Sequence, residues 1–167
     1  MTDTARSAPA LTLAAVSSGR RYPLNALGKW ALLLFAGQGT QAIPERVNLA
    51  IRDHYPSTDQ LLIANVADLR VVPRLFRGIA VSALERSYRR GAAQVPHGIP
   101  VDDYVIILPD WDGGATVALG FEQVDWTVGV ALIDPAGGVA ARFQSNDPTA
   151  RLIELLAESL GPPDPPA

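Results

Sequence analysis

Three short apolar runs, Trp30–Phe35, Leu61–Val66 and Tyr104–Leu108, decide what this chain can fold into. Each is far shorter than the roughly 20 residues a membrane helix requires. Each is also too continuous for a strand with one face in water. Such runs, closed by glycine or proline, mark strands buried on both faces. Ala36-Gly37-Gln38-Gly39 closes the first, and the stretch from Pro109 to Gly114 turns away from the third. Between the first two runs, Pro44 suits a helix's first turn and Glu45 sits near its positive end. Val47, Ala50, Ile51 and Tyr55 then recur at helical spacing until Pro56 stops the element. Strand, helix, strand implies a parallel pair joined by a right-handed crossover.

The remaining signals complete an α/β pattern. Leu11–Val16 reads as a further strand, with Ser17-Ser18-Gly19 as its turn. Residues 68–103 are the least regular part. Val81, Leu84, Glu85 and Tyr88 predict a short helix there, carrying Arg86, Arg89 and Arg90, before a Gly/Pro-rich stretch from Gly91 to Pro100. Val128–Ile133 and Val139–Phe143 flank Asp134-Pro135-Ala136-Gly137-Gly138, the pattern of a β-hairpin. Asp147 is placed to cap a last helix, with Pro148 at its first position and Leu152, Ile153, Leu155, Leu156 and Leu160 on its apolar stripe. The expected order is β–β–α–β–(α)–β–β–β–α, with no internal repeat.

Composition narrows the chemistry. A length of 167 residues suits one domain. A net charge of −3 argues against a nucleic-acid surface, which needs clustered cations. The absence of cysteine removes disulfides, thiolate metal sites and thiol catalysis. With His54 and His97 as the only histidines, a multi-histidine metal site is not expected either. No apolar run suggests a membrane span, and a cytoplasmic location is the expectation.

Several residue patterns resemble known families. Ala8-Pro9, Leu11, Leu13, Gly19, Leu24, Leu27 and Gly28-Lys29-Trp30 are similar to the opening hairpin of redoxins and their lead into the first central strand. Thr40-Gln41-Ala42-Ile43-Pro44-Glu45 resembles the peroxiredoxin stretch Thr-x-x-Cys-Pro-x-Glu, with Ile43 in the cysteine position and the glutamate one residue early. Against a Cys-x-x-Cys loop, Gly39 and Ala42 fall near the two thiols. Val128 stands where thioredoxins place a cis-proline. Asp103-Tyr104-Val105, Leu108-Pro109-Asp110, Gly120-Phe121 and Ile133–Ala140 are similar, in order and spacing, to the C-terminal domain of phenol-hydroxylase-type flavoprotein monooxygenases. So is the insertion from Asp68 to Pro100. The resemblance implies a thioredoxin-like α/β fold over residues 8–160, a mixed sheet flanked by helices, between a flexible lead at 1–7 and a Pro-rich disordered tail at 161–167.

It also implies a vacated redoxin site at Gln38, Gly39, Thr40, Gln41, Ile43 and Pro44, closed over as an apolar patch. No cofactor and no metal is expected. The implied role is that of a redox-inactive accessory or dimerisation module. Its partner would be a protein, either a flavoprotein monooxygenase or a second copy, met through Trp111 or the cluster Arg86, Arg89 and Arg90. The alternative is a cofactor-free enzyme or small-molecule binder that reuses the old site. No catalytic residue is assigned under the first reading; under the second the candidates are Glu45, His54 and His97, with Gln38 or Thr40 in support. A polar, water-accessible pocket at Gly37–Pro44 would distinguish the second from the first.

Two further motifs carry less. Phe35–Gln41 resembles the Phe-Pro-Gly-Gln-Gly-Ser-Gln opening of acyl transferases, but the Gly-His-Ser-x-Gly elbow those enzymes need is missing. Asp110-Trp111-Asp112-Gly113-Gly114, with Asp102 and Asp103 nearby, lacks the spacing of a calcium loop and reads as a solvated turn.

Overall fold

The computed structural model describes residues 6–163 and Pro165. A small hairpin opens it, β1 (Thr12–Ala14) against β2 (Arg21–Pro23). Then come β3 (Trp30–Ala36), a single 3-10 turn at Gln38–Thr40, α1 (Ala42–His54) and β4 (Leu61–Asp68). A second 3-10 turn at Arg74–Phe76 leads into α2 (Arg77–Ala92), followed by the one-turn α3 (Val101–Tyr104), β5 (Ile107–Asp110) and α4 (Gly114–Ala118). The chain closes with β6 (Gly129–Ile133), β7 (Val139–Gln144) and α5 (Thr149–Leu160). Of the expected N-terminal lead, Arg6 and Ser7 are tied to the body, through Ala118 O and a bridge to Gly138; residues 1–5 lie outside the described residues. So do Asp164, Pro166 and Ala167 of the tail.

The first two buried runs become the inner strands β3 and β4 of a five-stranded sheet in the order β5-β4-β3-β6-β7. Trp30 pairs with Leu61 through to Ala36 with Ala67 in a parallel ladder, as the crossover argument requires. β6 and β7 add antiparallel on the other side of β3. Their turn is fixed by Asp134, whose Oδ1 accepts from the amides of Ala136 and Gly138, both at 2.9 Å.

Because successive side chains of a strand leave opposite faces, β3 feeds two cores. Leu33 and Phe35 join one beneath the β1–β2 hairpin and α4; Leu32 and Leu34 join the other beneath α1 and α5.

Three expectations need correction. The third apolar run does not form a strand over Tyr104–Leu108: Tyr104 ends α3, and β5 starts at Ile107. Side chains hold that turn helical, since Tyr88 donates to Asp102 at 2.5 Å and Arg20 pairs with Asp103 at 2.5 Å. β5 then runs through Pro109, which is tolerated because β5 is an edge strand. Asp147 is not a helix cap. Its own amide donates to Ser145 Oγ at 3.1 Å, and Pro148 occupies the cap position with no side-chain bond. Thirdly, the segment expected to be irregular with a short helix holds α2, at 16 residues the longest helix described.

α2 is also the least embedded. None of its residues is buried, and neither core includes one of them. Its C-terminal half is held by the Tyr88–Asp102 bond and by the close approach of Gly91 to Val105. That bond, with burial second, pushes the Tyr88 phenol up to about 12 from 10. The folded chain therefore favours the neutral phenol, so the tether is fully present below pH 10 and is lost as the pH rises through about 12. Alkaline difference spectroscopy is expected to show a tyrosine ionising near pH 12 that returns toward 10 in Asp102→Ala. An unchanged titration in that variant would remove the tether.

Candidate functional site

β3 and β4 both end at the edge of the sheet where α1 and α2 begin, so the loops after them and the two helix starts meet at one end of the fold. In an α/β sheet that end is where ligands bind. Here it opens into a groove of about 610 Å3 between α1 and α2, floored by β4 and the residues before β5. That volume lies within the range of small-molecule sites, roughly 300–1,000 Å3. The expected closed apolar patch is not there. It is absent because the third part of the inner core is missing. Along the inner face of β4, Leu61 and Ile63 pack under α1, but the next two inner positions are Asn65 and Ala67, too polar and too small to fill the space under α2.

The residues expected to form a vacated redoxin site divide between the groove and the scaffold. Gln38, Gln41, Pro44 and Glu45 line the groove. Ile43, in the cysteine position of the peroxiredoxin register, packs instead against the core under α1 and α5. Thr40 is buried, and its hydroxyl donates to Val124 O at 2.5 Å while accepting from Gly37 N at 3.2 Å. It is a clip between two loops, not a free hydroxyl. Gly39 does not line the groove; a Cβ there, or at Gly37, would collide with Asp125. The two glycines of Gly37-Gln38-Gly39 thus serve the close approach of two loops.

The catalytic candidates are not brought together. Glu45 is in the first turn of α1 and lines the groove. His54 lies at the other end of that helix, about 13 Å along its axis by the rise per residue, and its Nδ1 sits 3.0 Å from Ala50 O. His97 is exposed in the segment between α2 and α3. The carboxylates considered for a cation also disperse. Asp110 is buried against the start of α4, accepting from Thr116 N and Oγ1 at 2.9 and 2.8 Å. Asp102 serves Tyr88, and Asp103 serves Arg20.

Among the interaction candidates, Trp111 is half-buried under the Arg77 guanidinium, 4.9 Å from the ring centroid. The exposed tryptophan is Trp126, at 76%. It follows Asp125, the residue against Gly37 and Gly39, and so stands beside the vacated site. The sequence signal for it was its position two residues before Val128. Arg86, Arg89 and Arg90 are all exposed on α2; Arg86 and Arg90 line the groove and Arg89 does not.

Three residues of the site escape a reading by motif. Asn48 and Asn65 line the groove, and each has a buried Oδ1 without a hydrogen-bond partner. Arg52, one turn after Asn48, is 3% exposed. Its Nη1 donates to the carbonyls of Tyr55 and Ser57 at 3.3 Å, its Nε and Nη2 have no partner, and its guanidinium lies 5.5 Å from the centroid of Tyr104, which lines the groove. No carboxylate pairs with it among the described residues. Burial lowers the Arg52 guanidinium to about 10.

No family model matches the chain, and no curated protein does. Solved structures do. A DsbE-type thiol:disulfide interchange protein of Chlorobium tepidum superposes with a TM-score of 0.65 at 19% identity, covering 96% of this chain and all of that one. DsbF of MTB gives 0.55 at 21% identity over 91% of this chain and 99% of its own. Peroxiredoxin Q of Xanthomonas campestris gives 0.56 at 16% identity over 95% and 97%. The fold is therefore thioredoxin-like, and this chain carries it without a cysteine.

Proposed function

We propose that the protein is a redox-inactive binding protein that has turned the vacated redoxin end into a ligand groove. With no thiol in the chain, disulfide chemistry has no nucleophile. The observation that carries the reading is the open groove of about 610 Å3 at Gln38–Glu45, roofed by a helix with no buried residue. Apolar positions Phe76, in the turn before α2, and Ile79, Ala80 and Ala83 on α2 line it, with the unsatisfied amides of Asn48 and Asn65 on α1 and β4. A few polar groups among apolar walls is the usual make-up of a small-molecule site. Nothing in the groove pairs a nucleophile with a base, so binding is favoured over catalysis.

The test uses Nile red, a neutral apolar dye. Saturable fluorescence enhancement at one dye per chain is expected. Ala83→Trp, which fills the groove from a helix with no buried residue, is expected to abolish it with the circular dichroism unchanged. Enhancement that persists in Ala83→Trp would sink the reading.

A second reading has its own support, the exposed Trp126 beside the vacated site and Leu75 at 87% exposure. These favour a protein contact, either with a second copy or with an enzyme such as a flavoprotein monooxygenase. Light scattering tests the first form: a dimer that becomes a monomer in Trp126→Ala supports self-association, and a wild-type monomer rejects it.

A further inference from the structure

The groove is lined differently at its two ends. After Phe76, which precedes it, α2 lines the groove with Ile79, Ala80 and Ala83 in its first half, then with Arg86, Ser87, Arg90 and Gly91. Its 16 residues span about 24 Å at the α-helical rise. Five arginines and one glutamate lie between residues 74 and 92, in a chain whose net charge is −3. Arg86 and Arg90 have no carboxylate partner among the described residues; Arg90 donates to Ser87 Oγ at 3.0 Å.

The two ends differ in the charged groups that line them. The arginine end is the one anchored on α3, since Tyr88 bonds Asp102 and Gly91 abuts Val105. Tyr104, at the end of α3, in turn lies over the buried, carboxylate-free Arg52. Arg86 and Arg90 thus place positive charge at that end of the groove lining. The other end, where α1 and α2 start, has Glu45 and the apolar side chains of Val71, Phe76 and Ile79. Within the lining, an anion finds guanidinium groups only at the first end.

Resting on the groove being a binding site, we infer that its ligand is a carboxylate amphiphile: an apolar chain or ring system ending in one carboxylate. The apolar part lies along Phe76, Ile79 and Ala83, and the carboxylate meets Arg86 and Arg90. Guanidinium suits that partner, because its planar fork of donors matches a carboxylate. The gradient from apolar to cationic on a single helix face also gives the ligand one orientation.

The test holds the tail constant and changes the head. Dodecanoate, dodecanol and dodecyltrimethylammonium are titrated by calorimetry into the full chain, the two ionic amphiphiles below their micellar concentrations and dodecanol below its solubility limit. Dodecanoate is expected to bind at least about tenfold more tightly than dodecanol, the effect of a charge-assisted hydrogen bond. Dodecyltrimethylammonium is expected to be the weakest. Raising the ionic strength should shrink the difference, since the arginine end is partly open to solvent. In the double variant Arg86→Gln, Arg90→Gln the dodecanoate affinity should fall to that of dodecanol, while dodecanol itself is unchanged. Both positions are exposed, so the variant keeps the fold.

If dodecanol or the ammonium amphiphile binds as tightly as dodecanoate, the carboxylate assignment is overturned and the groove reading stands. If none of the three binds and Ala83→Trp leaves Nile red enhancement unchanged, the groove reading itself has failed.

Discussion

Amide hydrogen exchange in α2 is expected to run about a thousandfold faster than in β3, a difference of roughly 4 kcal/mol in opening free energy. Helices in proteins draw most of their stability from a buried face, and a lone helix of this length is marginal in water. α2 has no buried residue. It carries Gly78 in its first turn, which weakens it further. Tyr88–Asp102 and Gly91–Val105 hold its C-terminal half and Arg77, over Trp111, holds its first residue, so the turns between, from Gly78 to Leu84, are expected to exchange fastest. β3 is the opposite case. It is bonded to β4 on one side and β6 on the other, and six of its seven residues are buried, so its amides open only when the whole domain does. Adding saturating dodecanoate should slow exchange in α2 and leave β3 unchanged, because a ligand between α1 and α2 supplies the face that α2 lacks. Protection in α2 equal to that in β3 without ligand would mean that the helix is packed and the groove closed.

What was legible in the sequence follows the same division. Trp30–Phe35, Leu61–Val66 and the Asp134–Gly138 turn were readable because each obeys a local rule: buried strands are apolar on both faces, and an aspartate before Pro-Ala-Gly-Gly makes a tight turn. Residues 68–103 looked irregular because α2 has no core to face, and a helix without a core has no strong apolar period to display. The boundary of β5 was misplaced because Tyr88 and Arg20, remote in sequence, hold Asp102 and Asp103 in a helical turn. Trp111 and Trp126 both follow an aspartate, and only the fold shows that Arg77 covers the first and nothing covers the second. The groove is a set of missing apolar side chains. Its traces in the sequence were Asn65 inside an apolar run and Asn48 and Arg52 among the inward positions of α1.

Phe35→Ala is expected to lower stability by about 3–5 kcal/mol in urea unfolding, whereas Leu84→Ala is expected to lower it by less than about 1 kcal/mol. Phe35 is fully buried near the end of β3, and its ring packs on Phe121 with centroids 5.0 Å apart at 45°. Phe121 in turn lies over Gly129, the β6 residue that pairs with Phe35, and an added Cβ at Gly129 would come within 2.7 Å of the ring. Neither strand can collapse into the space left by the lost ring, because both are held in the middle of the sheet. The cavity therefore persists and the full cost appears. Leu84 is comparably apolar, but it lines an open groove and belongs to neither core, so truncating it removes little contact. Equal losses for the two variants would show α2 to be part of the cooperative core. A large loss at Phe35 beside a small one at Leu84 locates the chain's stability in β3 and its two cores, and leaves α2 free to respond to a ligand.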